Sequence, residues 1–441
     1  MGTGTSVTGQ DRLRPDPEDP LHRVVTRLGI DVQQDGDSLA STPDVVVPAS
    51  YVPDDHPALL TAHRRGIRVI RRLEMLQRTL AARHAVIAVA GGTGKSTTTA
   101  LLHQLLRRDR PAGLYVAAAC PHLDDLNYEV TSSGLAVVEA CEFKREFLAL
   151  RPAATIVTNL LWGDHADYYA SQAAMHEAFA SLLARSPLVV VNAGDEDLLC
   201  LSRDVAPEQM VSVGETAGDW RVVVRTLGGA GTSLDLIHGA TTHRLRSPLV
   251  GRHNALNLAL AAVACVELGE PGVFEALRAD MSLQVPRRRV EPIGVAESGG
   301  LVVDDYAHNP VQLSAGIDSV RLRWPERRVV CIFQPSVHSR VRLQLDELCR
   351  ALAAADAVGV LPIQNGSLDD ESDRTQVSSA DLISALTDSG SRAIPLEDQA
   401  AAVTFGVTAC DRGAAVYVAG SRRAAVLARN MAAALGRGTP V

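Results

Sequence analysis

The stretch VIAVAGGTGKSTTTALLHQLL, residues 86–106, decides the architecture. Val86, Ile87, Ala88, Val89 and Ala90 read as a buried strand. Gly91, Gly92, Thr93, Gly94, Lys95, Ser96 and Thr97 then turn into a helix that runs through Leu106. A glycine turn between strand and helix points backbone N–H groups and the positive end of the helix dipole at one spot, where phosphate oxygens can be held. Lys95 is placed to reach the outer phosphates of a nucleotide, and Ser96 or Thr97 to hold magnesium. The loop is shorter than a strict Walker A sequence, which has glycine where Val89 stands. Lys95 and Lys144 are the only lysines among 43 basic residues, so the ammonium kept at Lys95 marks a place that needs a compact cation. A helix that merely starts in a glycine turn would leave the GKS triplet and the scarce lysine unexplained.

From Asp44 onward, apolar runs of strand length alternate with amphipathic helical stretches, the pattern of parallel sheets with crossover helices. The expected fold class is α/β, in three units. Residues 21–83 form a truncated N-terminal Rossmann-like domain, with strands at 45–47 and 68–70 and helices at 57–65 and 73–82. Residues 84–284 form a central P-loop ATP-binding domain. Its strands at 86–90, 114–118, 135–138, 155–157 and 188–191 precede runs at 221–226 and 233–238 that alternate like antiparallel strands. Helices are expected at 254–268 and 273–281. Residues 285–441 form a C-terminal Rossmann-like domain, with strands at 301–303, 329–333, 357–361 and 415–418 and helices at 311–322, 342–354, 380–386 and 424–435. Residues 1–20, polar and rich in Gly, Thr, Asp and Pro, are expected to be a disordered tail, and 365–374 a flexible surface loop.

Size and composition agree with this division. A chain of 441 residues has room for two or three cores. With 46% hydrophobic and 21% charged residues it reads as a soluble globular protein, and no apolar run approaches the roughly 20 residues of a membrane span. The net charge of −8 supplies no basic field for nucleic acid. Seven scattered cysteines without CxxC spacing read as reduced thiols of a cytoplasmic protein.

Further motifs carry chemistry beyond the loop. Glu139 ends an apolar strand, where a carboxylate beside a phosphate loop can ligate magnesium, although such a residue is also commonly solvated. Glu142 is a weaker choice for that task. His165 lies in Asp164-His165 just after another strand, at the sheet edge where ligands gather, and the competing reading is Asp164 capping a helix with His165 as a bystander. His253, Asn254 and Asn257 open a helix with Asn257 a turn beyond the other two.

These segments resemble the Mur ligase superfamily from about Asp44 to the end, and within it the alanine-adding members. DVVVPASYVPDDHPAL from 44, EACEFKREFL from 139, TNLLWGDHADYY from 158, GRHNALNLALAA from 251, RRRVE from 287, DDYAHNP from 304 and FQPSVHSRVR from 333 occur in that family's order. The resemblance implies an enzyme using ATP and Mg2+ to join a small-molecule carboxylate to an amino acid or amine through an acyl phosphate, releasing ADP. It implies that His165 helps hold a second magnesium, and that His253, Asn254 and Asn257 contact adenine. Arg289 would reach the phosphates and Asp305 the ribose, while His308, Asn309, Arg340 and Arg342 would face the substrates. Lys95, His165 and Arg289 are thus the expected catalytic set.

The pattern is not followed everywhere. Asn309 stands where the alanine-adding enzymes usually show a second histidine, and Ser336 and Val337 stand where they carry histidine and arginine. No lysine follows Lys144, so a carbamylated-lysine metal bridge, present in several relatives, is excluded. Lys144 itself is expected to be a solvated surface residue. Ahead of Asp44 no GxGxxG turn follows a strand, so the UDP cradle of the family is expected to be missing and the acid to be smaller than UDP-N-acetylmuramate, as in a dedicated natural-product route. Other readings are a UDP-N-acetylmuramate-L-alanine ligase with an abbreviated first domain, a P-loop kinase or nucleotide-switched binding protein, and an inactive ligase relative serving as a scaffold.

Overall fold

The computed structural model describes residues 6–11, 20–34, 39, 42–165, 168–205, 209–279, 282–365, 369 and 371–436. Its organising strand is His84–Ala90. Ile87 and Val89 enter one apolar core, while Val86, Ala88 and Ala90 enter another on the opposite face. An unbroken apolar run therefore belongs in a sheet covered on both sides. That sheet has ten strands, and His84–Ala90 pairs in parallel with Gly134–Glu139 on one side and Ala154–Val157 on the other. Chain connections run in opposite directions from this point, so a crevice opens at the strand ends, where Gly91, Glu139 and Thr158 emerge.

The helix Lys95–Leu106 packs against Arg252–Glu267 over one face of the sheet. Ala112–Cys120 and Leu126–Glu129 complete one side of the sheet. Leu188–Asn192 and Gln209–Gly214 extend the other side in parallel, before Trp220–Gly228, Gly231–His238 and Thr241–Ser247. The expected antiparallel pairing is present, with Arg221 opposite Ile237. The C-terminal unit has a six-stranded sheet in which Leu301–Asp305, Ala415–Gly420, Val329–Gln334, Ala357–Val360 and Ala393–Pro395 are parallel and Glu291–Val295 is an antiparallel edge. Gln399–Asp411 and Arg422–Ala434 cover one of its faces.

The N-terminal part contains two separate two-stranded parallel sheets. Val45–Val46 pairs with Arg68–Val69 across the helix Pro57–Arg64, as the sequence suggests. Thr8–Asp11 pairs with Asp31–Gln34 across the helix Pro20–Arg27. This corrects the expectation of a disordered tail over 1–20. Backbone pairing supplies order there despite the polar composition, while residues 1–5 and 12–19 lie outside the described ones.

Three other expectations are revised. The 365–374 segment holds the start of the helix Glu371–Gln376 and the buried Asp369, which accepts from the His338 N–H and the Ser339 hydroxyl at the start of the helix His338–Leu343; residues 366–368 and 370 lie outside the description. The helix expected over 342–354 is two, His338–Leu343 and Leu345–Leu352, because Gln344 leaves helical geometry and its side chain donates to the Trp162 carbonyl at 3.3 Å. Lys144 is buried rather than solvated. It sits in a left-handed turn with Arg145 and donates to the Val52 carbonyl at 3.0 Å, tying the N-terminal part to the central domain. No helix among the described residues is long and apolar enough to cross a membrane.

Candidate active site

The glycine loop closes on itself around a small space. Gly91 has φ +130° and Gly94 φ +81°, backbone that side-chain-bearing residues rarely adopt. A Cβ on Gly91 would collide with Thr158 Oγ1, and one on Gly94 would stand 2.6 Å from Asn257 Oδ1. Asn159, just beyond the strand Ala154–Val157, holds the loop's shape: its Oδ1 accepts from the Thr93 N–H at 3.0 Å and its Nδ2 donates to the Thr93 carbonyl at 3.1 Å.

Lys95 folds back over the loop, donating to the Gly91 carbonyl and, at 3.0 Å, to the Gly92 carbonyl. Its Nζ also pairs with Glu142 at 3.1 Å. Burial works against this ammonium, but the surrounding acidic groups, Glu142 foremost with Cys141, Asp164 and Glu139, together outweigh it and keep the charge on. Burial in turn pushes the Glu142 carboxyl up, against the pull of Lys95. Glu142 is therefore the counter-ion of Lys95, a role that its position after the strand does not reveal.

Ser96 Oγ donates to Glu139 Oε1 at 3.0 Å, and the other Glu139 oxygen accepts from the Ala117 N–H at 2.8 Å. A hydroxyl and a carboxylate side by side at the mouth of the phosphate loop are hard oxygen donors, the set that magnesium takes. This pair fits the ion implied by the sequence. Thr97 is buried one residue further into the helix.

Three consecutive arginines spread from the junction between the central and C-terminal domains, with Arg288 in a left-handed conformation. Arg287 binds Asp125 at 2.7 Å on the central domain. Arg288 binds Asp304 at 3.0 Å. Arg289 reaches Ser96 Oγ at 3.4 Å, with its guanidinium 5.4 Å from the Tyr306 ring. Arg289 therefore brings a C-terminal cation to the phosphate loop. Asp305 lies at the end of Leu301–Asp305 and accepts from Tyr417 at 2.9 Å. Burial raises its carboxyl to about 6, against the nearby Arg289.

His165 stands against Phe143, ring centroids 4.9 Å apart, with Nε2 3.7 Å from Glu142 Oε1. Burial lowers it to about 3, so its imidazole stays neutral and free to act as a ligand. Asp164 is not the cap of the helix that follows, Gln172–Leu183, which Ser171 caps. It receives Arg340 Nε at 3.3 Å, His308 Nε2 at 3.4 Å and Asn309 Nδ2 at 3.3 Å, while its carbonyl accepts from Arg340 Nη2 at 2.7 Å. Burial opposes its charge, but Arg340 and His308 hold the carboxyl well below its ordinary range. This buried ionic joint fastens the C-terminal domain beside His165. Three of the expected substrate residues are thus engaged at one carboxylate. Arg342 is not among them and pairs with Asp373 at 3.6 Å.

The His253, Asn254 and Asn257 set divides by position. Asn257 packs on Gly94, and Asn254 folds back onto the Val250 carbonyl at 2.8 Å. His253, lowered by burial to about 4, lines a cleft of about 950 Å³ with Gly251, Arg252, Pro310 and Ser314. The cleft lies between the two nucleotide-facing domains, where a flat heterocycle has room.

Residues 89–266 match the Mur ligase middle domain and 288–422 the Mur ligase glutamate ligase domain. The UDP-N-acetylmuramate--L-alanine ligase of Rubrobacter xylanophilus is 36% identical over 374 residues, covering 82% of this chain and 79% of that one. That of Kineococcus radiotolerans is 35% identical over 389 residues, covering 87% and 81%. Among solved structures, the UDP-N-acetylmuramate-alanine ligase of Thermotoga maritima has the same fold, with TM-score 0.73 and 22% identity over 96% of this chain and 92% of that one. With the phosphate loop, its oxygen donors and Arg289 assembled at one crevice, the chain belongs to the Mur ligase family, ATP-dependent ligases that form C–N bonds.

Proposed function

We propose that this protein joins the carboxylate of UDP-N-acetylmuramate to L-alanine, with ATP converted to ADP and phosphate. The observation that carries the reaction is the meeting of Lys95, the Ser96–Glu139 pair and Arg289 at one loop, contributed by two domains. The substrate assignment is supported by the relatives of that name, similar along most of the chain. Magnesium on Ser96 and Glu139 would neutralise charge on the phosphoryl group in transfer. Lys95 and Arg289 supply positive charge to the same group, which is worth most in a site shielded from water. The Asp164 joint keeps the C-terminal domain over the loop, so that an activated acyl group meets the amine before water.

A second reading keeps the reaction and replaces the acid by a smaller one, in a dedicated biosynthetic route. It is favoured by Asn309 and Ser336, which depart from the alanine-adding pattern. Phosphate release measured with panels of carboxylates and amino acids, and product identified by intact mass, separates the two. Turnover that needs both UDP-N-acetylmuramate and L-alanine supports the first. Turnover with another acid, and no heat of binding for UDP-N-acetylmuramate, supports the second. Phosphate release independent of any amine defeats both and favours a kinase or nucleotide switch.

A further inference from the structure

The connection between the strands Ala112–Cys120 and Leu126–Glu129 carries a histidine that the phosphate site does not use. His122 lies in the single turn Pro121–Leu123, and its Nε2 is 3.1 Å from Nδ1 of His103, a fully buried residue of the helix Lys95–Leu106. On its other side the His103 ring meets acceptors: Nε2 is 3.1 Å from the Ala112 carbonyl and 3.0 Å from Glu129 Oε2. His103 Nε2 therefore carries the proton and Nδ1 the lone pair, so His122 Nε2 donates. Burial lowers both imidazoles to about 4, so the contact at neutral pH joins two neutral rings. His122 Nδ1 is buried with no partner among the described residues, a cost that the Nε2 bond has to offset.

This bond steadies the piece of chain on which the C-terminal domain is seated. Antiparallel pairing loses register between Tyr115 and Cys120, so the hairpin's tip lacks a regular ladder. Asp124 and Asp125 after the turn are left-handed, with φ +55° and +63°. Leu123 packs on the central core, but an apolar contact sets no direction, whereas the His122 hydrogen bond does. Arg287, which opens the arginine run, is seated on either side of His122: its N–H donates to the Ala119 carbonyl at 2.8 Å and its Nε to Asp125 Oδ1 at 2.7 Å. Two residues on, Arg289 reaches Ser96 Oγ at 3.4 Å. Ser96 and His103 stand about two turns apart on one helix. The contacts thus close a ring that runs from the helix through His122, the hairpin tip, Arg287 and Arg289 back to the helix.

We propose that His122 is a positioning residue for Arg289: by donating to His103 it fixes the hairpin tip that seats Arg287, and through Arg287 it aims the Arg289 guanidinium at the phosphate loop. An imidazole suits this task because a rigid ring with one donor sets both distance and direction, where a flexible side chain would leave the tip to rock. The inference rests on the reading that Arg289 meets the phosphoryl group in transfer, and not on the identity of the acid or amine.

The test measures phosphate release by the full chain at saturating ATP, acid and amine, together with calorimetric affinity for ATP. His122→Phe keeps a ring but has no donor, and it should lower kcat at least about tenfold while the Kd for ATP changes less than about threefold. His122→Gln, whose amide can donate to His103 Nδ1, should restore kcat to within about threefold of the wild type. Arg287→Ala should lower kcat to a similar extent. The double variant of His122→Phe and Arg287→Ala should stay within about twofold of the slower single one, because both changes cut one ring. The radius of gyration with Mg2+ and ATP needs neither acid nor amine, and it should rise in His122→Phe and Arg287→Ala but not in His122→Gln. Urea midpoints establish that each variant folds; if His122→Phe does not, His122→Asn, too short to reach His103, replaces it. An unchanged kcat in His122→Phe, no rescue by His122→Gln, or multiplied losses in the double variant overturns the proposal, as does an unchanged radius in His122→Phe where no acid–amine pair gives turnover. Full turnover in Arg289→Ala overturns the reading of the phosphate site, and this proposal with it.

Discussion

At the scale of single residues, the phosphate loop shows how side chains and backbone divide the work. Lys95 is held ready by Glu142 and two loop carbonyls, so its ammonium is charged and close before any nucleotide arrives. Lys95→Ala should lower the rate of ADP release at saturating substrates by at least about 10²-fold, the scale on which a charge-stabilising donor contributes; near-normal turnover would remove the role given to it. Gly94 acts through what it lacks. Gly94→Ala puts a methyl group 2.6 Å from Asn257 Oδ1 in a left-handed backbone, and calorimetry should find ATP affinity reduced at least about tenfold, a loss of roughly 1.4 kcal/mol.

At the scale of elements, helices place and secure the site. Asn309 caps Pro310–Arg323 by accepting from the Gln312 N–H at 3.0 Å, while its Nδ2 reaches Asp164. Asn309→Ala should cost about 1–2 kcal/mol in urea unfolding, the usual loss of an N-cap with a further hydrogen bond. The helix behind the phosphate loop carries an acid-sensitive group, the fully buried His103. Burial lowers it to about 4, whereas an unfolded histidine titrates near 6.5. Between those values the unfolded chain binds a proton that the folded chain refuses. Its contribution is therefore complete above about 6.5 and falls as the pH drops toward 4. His103→Gln should flatten the loss of stability between pH 7 and 5, read from urea midpoints, by on the order of 1–2 kcal/mol.

At the scale of the whole molecule, function depends on the two nucleotide-facing domains staying in register. Arg287 on Asp125, Arg289 on Ser96 and Arg340 on Asp164 are the ties, and the last is the most buried. Removing one partner of a buried pair costs about 3–5 kcal/mol because the other is left uncompensated. Asp164→Ala should loosen the domains, seen as a larger radius of gyration in solution scattering, with kcat falling more than the apparent affinity for ATP. An unchanged radius with unchanged kcat would show that Asp164 does not hold the domains together.

The sequence alone determined the alternation of strands and helices, the phosphate loop and the residues that cluster at it. These are local matters: an apolar run covered on both faces, a glycine turn before a helix, and polar residues at strand ends all have near-neighbour causes. It did not reveal the strand Thr8–Asp11, because pairing to Asp31–Gln34 depends on a partner about twenty residues away and not on composition. Nor did it reveal the burial of Lys144, the break at Gln344 or the departure of Arg342 to Asp373, each decided by a contact with a distant segment. Tertiary structure alone made Glu142 the counter-ion of Lys95, Asp164 the joint between domains, and Cys141 a neighbour of His165. The reason is geometric: strands adjacent in the sheet, not in the chain, bring these side chains to one crevice, and only there does each carboxylate meet its cation.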